Sequence, residues 1–359
     1  IQGELRAVRD GLYGHGTQAQ LATAYPPDLT AVHELWSRKP NYTHESPFTL
    51  SVETFRDPLA GAIQAGLVNA SGKEYEWLME SLGFVDYYVM GSFDSPQLFE
   101  RFDEEGRMLD WNAMHWPPDI TETVAQTRRE KVTFWMSIPR KEVSNRGADQ
   151  PADVVVLGHG YTSNKSEMIE HHGYSARRGL ATIIIENVSH GLDLSDAEEV
   201  GLNQIFGLAG IEPFGEHFLT DRGLDFDGDG RSDSAADFWT AYTFHTRDVV
   251  RQSAVDYMQL LRIMSTWDGT KTWPFDTNGN GLADDLAGDF DGDGVVDVST
   301  SGEVSMTGGS LGGIMSAMMG GIEPKLDAVV PVAGGAGLSD IGVRSLQGGV
   351  RESVQLRIM

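Results

Sequence analysis

Four short runs of apolar, mostly β-branched residues, separated by helical stretches, constrain this chain more than any other feature. They are Asp153 to Leu157 (DVVVL), Ala181 to Ile185 (ATIII), Glu303 to Thr307 (EVSMT) and Ala328 to Val332 (AVVPV). Continuous rather than alternating hydrophobicity is what strands buried on both faces require, so the pattern predicts a mostly parallel α/β sheet flanked by helices. Lys131 to Ile138 (KVTFWMSI) opens the same sheet. The longest helical pattern, Phe244 to Trp267, carries an apolar stripe from Val249 to Met264 that predicts packing on it. Further upstream, Ser71 reads as the N-cap of a helix from Lys73 to Leu82, and Val85 to Met90 reads as a strand. Residues 1–128 are read as an N-terminal accessory region, and residues 129–359 as the α/β core.

Within that core, Gly308-Gly309-Ser310-Leu311-Gly312 follows EVSMT directly and precedes the small-residue segment IMSAMMGG. Strand, tight turn and helix with glycines two residues either side of a serine is the context of a nucleophile elbow. Ser310 is therefore the candidate nucleophile. The backbone N–H of Leu311 is one candidate for stabilising an oxyanion. A second Gly-rich turn, Gly158-His159-Gly160-Tyr161, ends the strand DVVVL. Its flexible backbone offers the N–H of Tyr161 or Thr162 as the other half of an oxyanion hole, with His159 and Gly160 shaping the turn.

From about Arg129 to Asp340 the chain resembles the α/β-hydrolase superfamily, in particular large secreted or surface-bound bacterial lipase and esterase-like proteins. The segments FWMSIPR, VVVLGHGYTSNKSE, TIIIENVSHG and EVSMTGGSLGGIMSAMMGG carry the resemblance in the expected order. It implies a serine hydrolase acting on carboxylic esters of small molecules or lipids, outside the cell or on its surface. The same fold also serves peptidases, and an inactive calcium-dependent surface or adhesion protein is the rival from another class. The family order is serine, then acid, then histidine. All ten histidines, however, precede Ser310. Asp340 stands where some lipases place the acid, while the histidine is expected on a further polypeptide segment, the core being incomplete at its C-terminus. His190 and His217 are the alternatives within the chain. The apolar segment from Gly191 to Phe218 reads as a lid or acyl-binding wall.

Three segments repeat D-x-[DN]-x-[DN]-G-x-x-D inside the core, in the regions 225–237 and 276–297. The first holds Asp225, Asp227, Asp229 and Asp233, the second Asp276, Asn278, Asn280 and Asp284, the third Asp289, Asp291, Asp293 and Asp297. Oxygen ligands at alternating positions, a bend glycine at the sixth and a backbone carbonyl at the seventh suit Ca²⁺. The carbonyls would be those of Arg231, Leu282 and Val295. Position twelve is Ala236, Ala287 or Thr300, so the loops depart from the EF-hand and look more like thrombospondin type 3 or dockerin-like repeats. A structural role is expected, since no histidine cluster suggests an activated water.

Composition narrows the partners. A net charge of −26 argues against nucleic acid and anionic membrane surfaces. With no cysteine, neither disulfides nor thiolate-bound metal hold the fold. The chain starts at Ile1 rather than methionine, as expected if a leader segment has been removed.

Overall fold

A computed structural model describes residues 2–36, 72–143, 147, 149–240, 242–274, 276, 280–346, 350–352 and 354. Seven strands form one mixed sheet: β1 (Leu29–Trp36), β2 (Val85–Gln97), β3 (Arg128–Pro139), β4 (Asp153–Gly158), β5 (Leu180–Ile185), β6 (Val304–Gly309) and β7 (Ala328–Val332). Their spatial order is β1-β2-β3-β5-β4-β6-β7. The first four in that order pair antiparallel, and β5, β4, β6 and β7 run parallel. The β-branched runs account for that parallel half. β2 and β3 pair from Val85↔Pro139 to Gln97↔Arg128, across the boundary expected at 128/129. The described part of the first 128 residues thus contributes two strands to the sheet instead of standing apart from it.

Helices α1 (Gln2–Leu12), α2 (Leu21–Ala24), α3 (Lys73–Ser81), α4 (Met168–Ala176), α5 (Asp196–Ala209), α6 (Glu212–Leu219), α7 (Thr243–Met264), α8 (Leu311–Gly320) and α9 (Leu338–Arg344) complete the described elements. The larger core joins α1, α7 and α8 to one side of the sheet, with Val156, Ile183, Val255 and Met306 fully buried. A smaller core on the other side gathers Tyr88, Trp135, Met168, Ile184 and Phe214. α7 is buried along almost its whole length, polar residues included. Arg222 explains one of them: it pairs with Asp256 at 2.7 Å and with Glu130 at 2.7 Å, keeping a buried charge compensated.

β4 leads to β5 on one side, whereas β6 leads to β7 on the other. The connections therefore diverge between β4 and β6, and the crevice beyond their carboxyl ends is where such sheets bind ligands. Sheet order and the strand–serine–helix turn after β6 make this an α/β-hydrolase fold. β7 departs from the expectation of strands covered on both faces. Val330 and Val332 are 56% and 53% exposed, and among the described residues β7 pairs with β6 alone.

Candidate active site

Ser310 sits in that crevice. It joins β6 to α8 with φ 53° and ψ −111°, a region that non-glycine residues occupy at a cost of about 1–3 kcal/mol unless the surroundings enforce it. Here they do. Ser310 N–H donates to the Val332 carbonyl at 3.0 Å, and the Ser310 carbonyl accepts from Ile314 N–H at 3.1 Å. A Cβ on Gly312 would lie 1.9 Å from the Gly158 carbonyl oxygen, and one on Gly308 2.4 Å from it. Only glycines let α8 and β6 come this close to β4. Leu311 opens α8, and the first amides of a helix have no carbonyl to donate to within it, so they face the crevice with the positive end of the helix dipole.

The turn after β4 is held by different means. Gly160 N–H donates to both carboxylate oxygens of Glu167, at 3.1 and 3.2 Å, and its carbonyl accepts from His159 Nδ1 at 2.9 Å. Gly160 therefore spends its own amide on Glu167, leaving the following amides for a reacting oxygen. Thr162 holds φ 64°, another strained position beside the crevice. His159 is fully buried, with Nε2 3.0 Å from Asn187 N–H and 3.2 Å from Glu186 Oε1. Burial disfavours a charged ring, but Glu186 outweighs it and raises the His159 pKa. Protonation exchanges the Asn187 bond for one to Glu186. Glu186 is itself buried, which would raise it, yet Lys165 at 3.1 Å and His159 hold it down at about 2. Lys165 also donates to the Thr220 carbonyl at 2.6 Å. His159 thus braces the turn and does not reach the serine.

Among the described residues no histidine hydrogen-bonds to Ser310. His190 donates from Nδ1 to the Val188 carbonyl at 2.9 Å, and its ring packs 6.2 Å from that of Tyr161. Burial, with His159 beside it, lowers its pKa to about 4. His217 lies on α6, with Nδ1 donating to the Pro213 carbonyl at 3.0 Å and Nε2 3.3 Å from Ser92 Oγ. Asp340 is not placed as a triad acid either. Its side chain is 72% exposed in the first turn of α9 and pairs with Arg344 one helical turn away, at 3.3 Å. A carboxylate there is a helix-end charge, favoured by the dipole and by its i,i+4 partner.

The pocket at Ser310 is walled by Tyr161, Phe238 and Trp239 on one side and floored by Leu311 and Ile314. Leu338, Ile341 and Val350 close it from the C-terminal side. The segment 191–218 does not contribute. Ile211 and Phe214 pack in the smaller core, and α6 lies on β1, β2 and β3. Its apolar pattern reflects that packing instead of the expected acyl wall. Phe238 and Trp239 were missed as wall residues. Their only signal is an aromatic doublet just past the first aspartate loop.

In that loop Asp225 accepts Gly228 and Gly230 N–H, at 2.8 and 3.0 Å, and Asp229 accepts Arg231 N–H at 2.9 Å. The third repeats this: Asp289 accepts Gly292 and Gly294 N–H at 2.7 and 2.8 Å, and Asp293 accepts Val295 N–H at 2.9 Å. In both, the ninth-position acid closes the turn, Asp233 onto Phe226 N–H and Asp297 onto Phe290 N–H, each at 2.8 Å. One carboxylate oxygen from each of Asp225, Asp227 and Asp229 lies within 4.8 Å of the others, and the same holds for Asp289, Asp291 and Asp297. The third cluster is buried, and burial together with Asp291 pushes Asp297 up to about 8. Lys141 pairs with Asp291 at 3.2 Å and with Asp293. Crowded anions of this kind fit a hard divalent cation. In the second loop Gly281 N–H donates to Asp276 at 2.7 Å, Leu282 N–H donates to Asn280 at 2.7 Å, and Asn280 Nδ2 donates to Asp284 at 3.2 Å. Asn278 lies outside the described residues.

No protein-family model matches the chain, and no curated protein matches it. Solved structures do. An acetyl xylan esterase from Paenibacillus sp. R4 aligns over 89% of this chain and 69% of its own, at 14% identity and TM-score 0.37. The rice cell wall degrading esterase LipA from Xanthomonas oryzae aligns over 86% and 50%, at 12% identity and TM-score 0.33. A thermostable carboxyl esterase from Bacillus coagulans aligns over 56% and 39%, at 12% identity and TM-score 0.27. The chain thus spans half or less of the length of the last two. Among the described residues no helix is long and apolar enough to cross a membrane.

Proposed function

We propose that this chain carries the nucleophile and oxyanion hole of a serine hydrolase that cleaves carboxylic esters of the lipase or esterase type. The observation that carries the reading is Ser310 at φ 53° on the β6–α8 turn, opening into an apolar pocket. Ser310 Oγ attacks the acyl carbon while its proton passes to a histidine. The N–H groups of Leu311 and Tyr161 take the developing negative charge, the alcohol leaves with the proton, and water then releases the acid. The histidine and its acid come from a further polypeptide segment. Two features support that assignment: the absence, among the described residues, of a histidine bonded to Ser310, and the uncovered strand β7, beside which a further strand can pair.

Calcium is proposed at the aspartate loops as a structural ion. Asp225, Asp227, Asp229 and Asp233 would hold one, with Asp289, Asp291, Asp293 and Asp297 holding another and the loop at 276–284 completing the set. When bound, it neutralises carboxylates that otherwise repel one another. Loops of this kind suit the roughly millimolar calcium met outside cells, in keeping with a secreted or surface protein.

Labelling of the full-length protein by a fluorophosphonate tests the chemistry. Ser310→Ala is expected to abolish labelling and hydrolysis of p-nitrophenyl esters while the fold persists. Label on another residue, or activity retained in that variant, overturns the reading. No labelling of the unaltered protein favours the inactive surface protein. For calcium, an ion a hundredfold above its Kd adds about 2.7 kcal/mol of stability. EGTA is therefore expected to lower the Tm, and Asp293→Ala to reproduce part of the loss. An unchanged Tm rules out the structural ion.

A further inference from the structure

Resting on the hydrolase reading, we infer that Trp239 is a fixed stop at the end of the acyl pocket and restricts this enzyme to short acyl groups. The pocket beside Ser310 holds about 40 Å³. At roughly 10–15 Å³ of such space per water-sized group, that admits about three groups, an acetyl to propionyl chain and no more. Trp239 closes it, 8% exposed, with its ring edge-on to Phe238 at 5.2 Å and to Tyr161 at 6.5 Å.

The stop is rigid because its backbone is pinned from both sides. Asp237, two residues earlier and fully buried, accepts a hydrogen bond from Ser189 Oγ and lies 3.0 Å from His245 Nε2. Ala235 holds φ 61° and donates from N–H to the Ser189 carbonyl at 2.5 Å. On the far side Gly342 of α9 leaves room for the indole, since a Cβ there would lie 3.3 Å from Trp239 Cζ3. A side chain held at both ends cannot swing aside for a longer chain. It discriminates by excluded volume, and removing it gives the added methylenes apolar wall to bury against.

The test compares kcat/KM for p-nitrophenyl acetate and octanoate on the full-length protein. Unaltered enzyme is expected to favour acetate, and Trp239→Ala to raise the octanoate-to-acetate ratio tenfold or more. Trp239→Phe, which keeps an aromatic filling, is expected to fall between them and serves if the alanine variant does not fold. An unaltered enzyme that already prefers octanoate, or a ratio unmoved in both variants while hydrolysis continues, overturns the stop and leaves the hydrolase reading standing. Calorimetric binding of octanoate in a Ser310→Ala background separates the two claims. Binding that appears only when Trp239→Ala is added supports the stop even if no ester is cleaved, and octanoate binding with Trp239 in place overturns it.

Discussion

Two glycine-rich turns meet at the crevice, and they are built on opposite principles. The turn at Ser310 is held by shape: Gly308 and Gly312 press on Gly158, and the described bonds of the turn are backbone ones. The turn at His159 and Gly160 is held by charge, through Glu167, Glu186, Lys165 and the imidazole itself. A nucleophile must be presented with a free hydroxyl, so sterics suit it. A turn that offers N–H groups to a passing negative charge needs its own carbonyl and amide occupied elsewhere, which calls for polar partners.

The contrast can be broken most forcefully at Lys165. Lys165→Met leaves Glu186 buried and ionised without its ammonium, and such losses run to about 3–5 kcal/mol. Urea unfolding is expected to show it, and a loss below 1 kcal/mol would mean that charge is not what holds this turn. Gly312→Ala should come next, at the upper end of the range of about 1–3 kcal/mol for overpacking, because its neighbour is rigid backbone. Tolerance there would remove sterics as the basis of the Ser310 turn. Glu167→Ala is expected to cost about 1–3 kcal/mol, the penalty for an amide stripped of its acceptor. Glu167→Gln, which keeps an acceptor, should restore kcat more than it alters KM if the carboxylate orients the oxyanion amides.

Acid should sharpen the contrast with the smallest effect. Glu186 is held at about 2 against an ordinary 4.5, so its contribution is complete above pH 4.5 and is lost as the pH falls toward 2. His190, lowered from 6.5 to about 4, acts in the same direction: below pH 6.5 the unfolded ring takes up a proton that the buried ring refuses. Unfolding followed from pH 7 to 3 should therefore show an acid limb that Glu186→Gln flattens and Ser310→Ala leaves in place. Equal limbs in all three proteins would detach that acid sensitivity from the charged turn.

Much of the parallel sheet was legible in the sequence because β-branched runs such as ATIII are self-sufficient signals. So was the serine turn, whose glycines and strand are contiguous. The braces of the other turn were not. Glu186 and Lys165 lie 21 residues apart and meet only once β5 is placed beside β4. The apolar run at 191–218 misled for a related reason: greasiness marks burial without saying against what, and Phe214 turned out to face Trp135. Asp340 carried no local mark that separates a triad acid from a helix-end charge. The aspartate loops were legible as turns, since each bond closes within nine residues, while the burial of the third depends on chain far away.

The bare strand at the end of the sheet has a practical consequence. Ala328 to Val332 presents unpaired backbone along an apolar edge, which is a template for joining a neighbouring molecule edge to edge. Residues 1–359 produced alone should therefore cloud at concentrations where the charge of −26 would otherwise keep molecules apart. A lysine placed at Val330 should clear the solution.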